Sequence, residues 1–217
     1  KDFDKSLVLI VLLIFTLGML TIYSATEARD LPFAESFFAK QGVSMGIALI
    51  FVLIAIGVSY QKFIDLSYLV YAVNIILLVF VLLIGTARLG AQRWFSVGGF
   101  AFQPSEFIKL SLILAMSCYL GNRKDTVYRL SSLLVPCFLL GAPFILVLLQ
   151  PDLGTALLLL PIFFAMLVVS GASGRHIAGM MIAGASAAPF FWHFLREYQR
   201  QRLLVFINPN IDPLGAG

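Results

Sequence analysis

The chain has 217 residues, of which 60% are hydrophobic and 12% are charged, with a formal net charge of +4. A soluble globular domain carries roughly 25% charged residues, so this composition excludes a soluble enzyme and indicates an integral membrane protein. The basic residues are dispersed and form no block of like charges, so no nucleic-acid partner is expected. Cys118 and Cys137 lie in apolar runs and the two histidines are far apart, which predicts neither a disulfide nor a zinc site.

Seven stretches are apolar and long enough to cross a bilayer, since a spanning helix needs about 20 mostly apolar residues. They are approximately 6–25, 41–59, 66–86, 104–120, 130–149, 153–170 and 177–194. Pro136, Pro143 and Pro161 lie inside the fifth and sixth spans and predict kinks, which neighbouring helices make tolerable. We therefore predict an all-α, polytopic integral membrane protein with seven transmembrane helices, forming a single transmembrane domain over 1–217.

With seven spans, most of the unusual polar motifs fall on one side of the membrane, here called face B. Face B holds the segments at 26–40, 87–103, 150–152 and everything after 195. Lys and Arg are almost equally divided between the two faces, so the positive-inside rule does not fix the orientation. The compact basic turn NRKDTVYR on the opposite face favours a cytoplasmic position there, which would make face B external.

The stretch QPSEFIKL at 103–110 places charged residues at the mouth of the fourth span. Pro104 and Glu106 are typical of a helix start, because proline fits the first turn and an acidic residue complements the helix dipole. That explanation does not cover Lys109, which lies on the same side as Glu106 by i,i+3 spacing. A charge at mid-bilayer costs about 2.5–3.5 kcal/mol. We interpret Glu106 and Lys109 as a pair lining a polar cavity.

The motif QPDLGT has the same pattern of a glutamine, a proline and an acidic residue, and it places Asp152 at a second helix start on face B. Two helix N termini that open on one face suit an anion such as a phosphate, although ordinary capping explains either one alone. The segment RLGAQRWFSVGGFAF between the third and fourth spans is too broken for a helix. An interfacial loop accounts for its aromatic residues but not for Arg88 and Arg93.

The last stretch, REYQRQRLLVFINPNIDPLGAG, is the longest that does not span. Arg196, Arg200 and Arg202 precede the short amphipathic segment LLVFI. Asp212 follows among prolines and glycines, which indicates a carboxylate fixed in a turn; an ordinary Asx-turn residue is the alternative.

These groups on an external face fit a reaction whose substrate carries its own leaving group, because ATP is absent there. For a lipid-linked diphosphate sugar, the cations and helix ends would stabilise the departing diphosphate, and the carboxylate would act as general base. A divalent cation, Mg²⁺ or Mn²⁺, would help to neutralise the diphosphate, with its ligands unknown. A transporter would also place charges in a central cavity, and spacing alone does not separate the two.

Three motifs, GAQRWFSVGGFAFQPSEFIKL, QPDLGTA and YQRQRLLVFINPNIDPLGAG, occur in this order and together resemble the SEDS family (shape, elongation, division, sporulation), closest to its RodA branch. The resemblance covers roughly the first two-thirds of a family member, which has about ten spans. It implies that the later helices are absent from this chain, which would be incomplete at its C-terminus. It also implies that 195–217 begins a large periplasmic loop.

The resemblance implies a peptidoglycan glycosyltransferase of the bacterial inner membrane that polymerises lipid II on the periplasmic side during cell elongation. Implied partners are a class B penicillin-binding protein (a transpeptidase), other elongation-complex membrane proteins and membrane lipids. Asp212 matches the family's catalytic aspartate. The residues that match substrate-binding positions of the family are Arg93, Glu106, Lys109, Asp152, Gln199 and Arg202. A lipid II flippase and a non-catalytic scaffold for the penicillin-binding protein are the alternatives.

Overall fold

The computed structural model of the chain describes residues 5–26, 36–88, 91–97, 100–123, 127–193, 195 and 197–207. The chain divides into two compact units, Lys1–Ser59 and Tyr60–Gly217. The described residues are predominantly helical, which confirms the all-α prediction.

The first unit is a pair of apolar helices, α1 (Lys5–Thr26) and α2 (Phe37–Gly57), which contact each other. Ser36 caps α2, because its hydroxyl accepts a hydrogen bond of 3.1 Å from the Ala39 amide. Neither helix contains a fully buried residue within the described part of the chain. Apolar side chains that face outward along a whole helix are typical of a protein whose solvent is lipid.

The second unit carries the remaining described helices and a small antiparallel sheet. Its helices are α3 (Tyr60–Asp65), α4 (Ser67–Ile84), α5 (Pro104–Gly121), α6 (Leu134–Leu149, preceded by a 3₁₀ turn over Leu130–Leu133), α7 (Leu153–Val169), α8 (Gly174–Trp192) and α9 (Glu197–Ile207). Its strands are β1 (Thr86–Arg88), β2 (Ala91–Val97) and β3 (Phe100–Phe102), in the order β1-β2-β3.

Two hydrogen bonds establish the directions of these helices. The Tyr71 hydroxyl donates to the Leu139 carbonyl near the beginnings of α4 and α6, and the Gln150 amide donates to the Leu78 carbonyl near their ends. Helices α4 and α6 are therefore parallel. Helix α5 runs in the opposite direction, because Tyr119 near its end donates to Ser132 just before α6. Helix α7 runs with α5, because Gln103 and Asp152 join the starts of the two helices. The sheet, the N terminus of α5 and the turn at 150–152 consequently meet at one end of the unit, here called the sheet end. The described residues of 87–103 and the turn at 150–152, which the sequence predicted to share a face, thus lie at the same end of this unit.

The core forms where α5 packs against α4, α6 and α7. Helix α5 contributes a stripe at helical spacing that includes Ile108, Leu112 and Met116, each fully buried. Helix α7 faces it with Leu159 and Phe163. Because α5 is enclosed on this side, its outward side is the one that carries Glu106 and Lys109.

The prolines of the fifth predicted span are compensated by tyrosines from other helices. Pro143 has no N–H to donate to the Leu139 carbonyl, which lies four residues earlier in α6. Tyr71 of α4 donates its hydroxyl to that carbonyl at 2.8 Å. In the same way Pro136 releases the Ser132 carbonyl, to which the Tyr119 hydroxyl of α5 donates at 3.3 Å. An unpaired carbonyl is costly in an apolar surrounding, so each tyrosine replaces a lost helical bond.

A left-handed glycine ends α7 and begins the turn into α8. Gly171 has φ +83°, a conformation that side chains disfavour. The Ala172 amide donates to the Leu167 carbonyl, and the Gly171 amide donates to the Val168 carbonyl. This is a Schellman motif, which satisfies carbonyls that the helix end would leave unpaired.

The sheet occupies the segment for which the sequence predicted no helix. Strands β1 and β2 pair with Thr86 opposite Trp94, and β2 and β3 pair with Phe95 opposite Phe102. The described residues of the segment therefore form paired antiparallel strands. It presents Arg93 from β2 toward the α6–α7 turn.

Four described helical stretches are long and apolar enough to cross a membrane, which makes the chain a multi-pass membrane protein. They are Lys5–Thr26, Phe37–Gly57, Ser67–Ile84 and Leu130–Leu149, and Leu153–Val169 is a shorter apolar helix. Helices α5 and α8 lie where spans were predicted, but α5 carries Glu106 and Lys109, and α8 is rich in small residues. The count of seven spans is thus not confirmed and stays a prediction.

We expect Tyr71→Phe to lower the free energy of unfolding by about 1 kcal/mol, because it leaves the Leu139 carbonyl unpaired between helices. Thermal unfolding of the purified protein in detergent measures this. Tyr60→Phe is the matched control, since Tyr60 is 69% exposed on α3. Equal unfolding midpoints for the two variants would contradict the role assigned to the Tyr71 hydroxyl.

Candidate functional site

Arg93 joins the sheet to the α6–α7 turn. Its Nε donates to the Gln150 carbonyl at 3.3 Å, and one Nη donates to the Pro151 carbonyl at 2.6 Å. The other Nη lies 3.6 Å from Oδ1 of Asp152. One guanidinium therefore satisfies carbonyls at the C terminus of α6 and pairs with the carboxylate that begins α7. Arginine suits this position because its donors are held in a rigid planar fork.

The Asp152 carboxylate is enclosed by protein donors, and its side chain is 9% exposed. Oδ1 accepts from the Thr155 amide at 3.3 Å, which makes Asp152 the N-cap of α7. Oδ2 accepts from the Thr155 hydroxyl at 3.0 Å and from the Gln103 side-chain amide at 3.1 Å. With Arg93 also on Oδ1, both oxygens have two partners, which is close to the capacity of a carboxylate. Asp152 thus connects the beginnings of α5 and α7.

Glu106 and Lys109 form an ion pair on the first turns of α5. Lys109 Nζ lies 2.8 Å from Oε2 of Glu106, and the side chains of Lys109 and Glu106 are 26% and 54% exposed. The pair predicted from i,i+3 spacing is therefore present in the structure, and the polar cavity that it was predicted to line stays a prediction. Its neighbours Phe107 and Leu110 are also exposed, so the pair lies on the outward side of α5 and away from the packed core. A charged pair on an otherwise apolar surface can serve a charged substrate.

Helix α9 begins against the end of α8. The Arg200 guanidinium donates to the carbonyls of Trp192 and His193, at 3.1 and 3.0 Å. These are carbonyls at the C terminus of α8, where a cation also complements the helix dipole. Gln199 is buried, at 5% exposure. Arg202 lies in α9, but its side chain falls outside what the structure describes.

The structure places the predicted site residues in three groups. Arg93 and Asp152 pair with each other, Glu106 and Lys109 pair with each other, and Gln199 lies in α9. The first two groups share the sheet end through Gln103, which immediately precedes α5 and contacts Asp152. Asp212, the predicted catalytic residue, lies outside the described residues, so its predicted role is not tested.

The residues that the structure describes do not assemble a metal site. Among them, no group of three or more His, Cys, Asp or Glu side chains is placed to hold an ion. The Asp152 carboxylate is occupied by protein donors, and Glu106 is paired with Lys109. The described part of the site therefore does not fit a divalent cation, and the cation remains a prediction.

Two further residues of the site were not identified as site residues from the sequence. Gln103 and Thr155 both bind Asp152. The D-x-x-T spacing of Asp152 and Thr155 is a capping pattern that could have indicated the contact between these two residues. The contact between Gln103 and Asp152 joins residues 49 positions apart, and a sequence pattern within one helix cannot show it.

We expect Arg93→Lys to lower the free energy of unfolding by about 1–3 kcal/mol, because lysine keeps the charge but loses the two carbonyl contacts. Arg175→Lys is the matched control at an exposed position of α8. Thermal unfolding in detergent compares the two variants. If Arg93→Lys unfolds at the same temperature as the control, Arg93 does not hold the sheet to the α6–α7 turn.

Curated relatives match nearly the whole length of the chain. Stage V sporulation protein E of Bacillus subtilis is 33% identical over 99% of the chain and 60% of its own length. Peptidoglycan glycosyltransferase MrdB of Escherichia coli K12 is 34% identical over 99% of the chain and 56% of its own length. The chain therefore spans a little over half the length of these relatives.

Solved structures share the fold as well as the sequence. A chain of a peptidoglycan synthase complex, described as coordinating polymerization and crosslinking, matches 98% of this chain and 61% of its own length, with TM-score 0.83 and 34% identity. The crystal structure of the rod shape determining protein RodA of Thermus thermophilus matches 85% of this chain and 59% of its own length, with TM-score 0.73 and 33% identity.

The sequence profile of one family, described as cell cycle protein, matches residues 4–217. This match covers nearly the complete chain and includes all three motifs on which the resemblance was based. The family resemblance predicted from the sequence is thereby confirmed: the chain belongs to the FtsW/RodA/SpoVE family.

Proposed function

We propose that the protein is a peptidoglycan glycosyltransferase that polymerises lipid II into glycan strands. The observation that carries this proposal is similarity along 99% of the chain to a relative named peptidoglycan glycosyltransferase. The geometry supports it, because a charged pair and a buried polar network lie at one end of the same helices. The site that the family resemblance assigns to substrate would then be the sheet end.

The proposed reaction is a displacement at the anomeric carbon of a lipid-linked diphosphate sugar. The acceptor hydroxyl oxygen forms the new glycosidic bond while the bond between the anomeric carbon and the diphosphate oxygen breaks. The hydroxyl proton passes to the Asp212 carboxylate, and the lipid diphosphate leaves with the electron pair. A general base of this kind contributes typically about 10²–10⁴-fold to a rate. Single displacement inverts the anomeric configuration.

Charge on the protein stabilises the leaving diphosphate in this proposal. Lys109 lies at 2.8 Å from Glu106, which holds the ammonium group in place while leaving it partly exposed. An ammonium with further donors can contact a phosphate oxygen while it remains paired. Arg93 is engaged with the α6–α7 turn, which supports a role in holding the site in shape.

The proposed location is the bacterial inner membrane, with the sheet end facing the periplasm during cell elongation. A class B penicillin-binding protein is the proposed partner, since the product of polymerisation must be crosslinked. The similarity to a chain of a complex described as joining polymerization and crosslinking supports that partner.

Asp212→Asn should abolish polymerisation, because an amide cannot accept the hydroxyl proton. The measurement is polymerisation of fluorescent lipid II by the purified full-length protein with its penicillin-binding partner, with and without a divalent cation and a chelator. Asp65→Asn is the control, since Asp65 is exposed on α3. Retained polymerisation in Asp212→Asn would remove Asp212 as the base.

The same preparation separates the alternative functions. Transfer of lipid II across a liposome membrane without polymerisation would favour a flippase. A complete lack of product from the unmutated protein would favour a scaffold.

Lys109→Gln should raise the KM for lipid II on the order of tenfold, because it removes a charge-assisted contact to the diphosphate. Lys62→Gln removes an exposed positive charge from α3 and is the control for net charge. Initial rates over a range of lipid II concentrations measure the difference. An equal KM for both variants would exclude Lys109 from diphosphate binding.

A further inference from the structure

Gln103 occupies the junction between β3 and α5. It precedes Pro104, and it has extended backbone angles, φ −117° and ψ 105°, as expected for a residue before proline. Its side chain makes no capping bond to the amides of its own helix. Its Nε2 donates to the Ser105 hydroxyl at 2.9 Å and to Oδ2 of Asp152 at 3.1 Å. The side chain thus connects α5 to the residue that caps another helix.

The first turn of α5 is held firmly on its inner side. Pro104 and Ser105 are completely buried, and Ser105 is the second contact of the Gln103 amide. The Asp152 carboxylate on the other side is itself fixed by Thr155 and Arg93. Gln103 therefore transmits the position of the α6–α7 turn to the start of α5.

The ion pair of the proposed site follows within two turns of this anchor. Glu106 is three residues and Lys109 six residues after Gln103, and a helix rises only about 1.5 Å per residue. A change in the direction of the first turn would therefore displace both charged groups relative to a bound substrate. Misplacement by about 1 Å is enough to cost an enzyme on the order of 10²-fold.

Resting on the proposed function, we propose that Gln103 is a positioning residue for glycosyl transfer: its amide, bonded to Asp152 and Ser105, holds the first turn of α5 so that Glu106 and Lys109 meet the diphosphate. In this assignment Asp152 acts through Gln103 and the turn it caps. The role differs from direct contact with substrate, which the family resemblance implies for Asp152.

The test exchanges the charge and the amide between Gln103 and Asp152. It uses the full-length protein together with its penicillin-binding partner. Gln103→Glu places a second carboxylate against Asp152 and should raise the KM for lipid II on the order of tenfold or more. Asp152→Asn removes the acceptor charge and should act in the same direction. In the double variant Q103E/D152N the amide introduced at position 152 can donate to the carboxylate introduced at position 103, which restores the link with its polarity reversed. We expect the KM of the double variant to return toward that of the unmutated protein.

Two further variants separate positioning from general stability. Gln103→Met removes the hydrogen bonds without adding charge, and it should raise the KM at a temperature well below its unfolding midpoint. Gln61→Glu makes the same substitution as Gln103→Glu at an exposed position of α3 and should change nothing. A role in folding alone would lower the unfolding midpoint and the active fraction while the KM stayed unchanged.

Each remaining outcome decides the question. A double variant no better than Asp152→Asn would overturn the proposal and would indicate that Asp152 contacts substrate itself. A KM that stays unchanged in Gln103→Met would also overturn it. If the unmutated protein makes no glycan, the proposed function fails, and the positioning role fails with it. If the unmutated protein is active and the substitutions of Gln103 leave its KM unchanged, only the positioning role is rejected.

Discussion

The Asp152 carboxylate is the interaction on which the arrangement of the sheet end depends. It receives bonds from Thr155 in the helix that it caps and from Gln103 and Arg93 in two other segments of the chain. A carboxylate that is 9% exposed is stable only when its lone pairs are satisfied, so those two segments must converge on the start of α7. One buried charge thus ties β2 and the start of α5 to the start of α7.

The same requirement explains the interior of the helices. Two prolines of α6 release carbonyls, one within that helix and one in the 3₁₀ turn before it, which an apolar surrounding does not hydrate. Tyrosines on α4 and α5 donate to these carbonyls. These bonds fix the rotation of α4 and α5 about their own axes, which packing of similar aliphatic side chains specifies only weakly. Helix α6, which contains the prolines, therefore also sets the alignment of α4 and α5.

Local sequence patterns predicted much of the fold for physical reasons. Long apolar runs indicated the positions of the helices, and Pro104 and Asp152 marked two of their starts, because capping is a local property. The Glu106–Lys109 pair followed from i,i+3 spacing alone. The parity of the spans also predicted correctly that 87–103 and 150–152 lie at the same end.

What the sequence did not predict depends on contacts between distant residues. The strands between 86 and 102 were not predicted: the glycines between them indicated only a segment too broken for a helix. The bonds of Gln103 to Asp152 and of Tyr71 to Leu139 join residues 49 and 68 positions apart. Asp212 lies outside the described residues, so the turn that the surrounding prolines and glycines predict for it stays a prediction.

The bonds of Arg200 to the carbonyls of Trp192 and His193 couple α8 and α9 mechanically. Because the guanidinium holds backbone atoms at the end of α8, a shift of that helix along its axis is carried directly into the first turn of α9. Helix α9 extends from this attachment to Ile207, the last residue that the structure describes. A tilt imposed on α8 from within the membrane would in this way change the direction of α9.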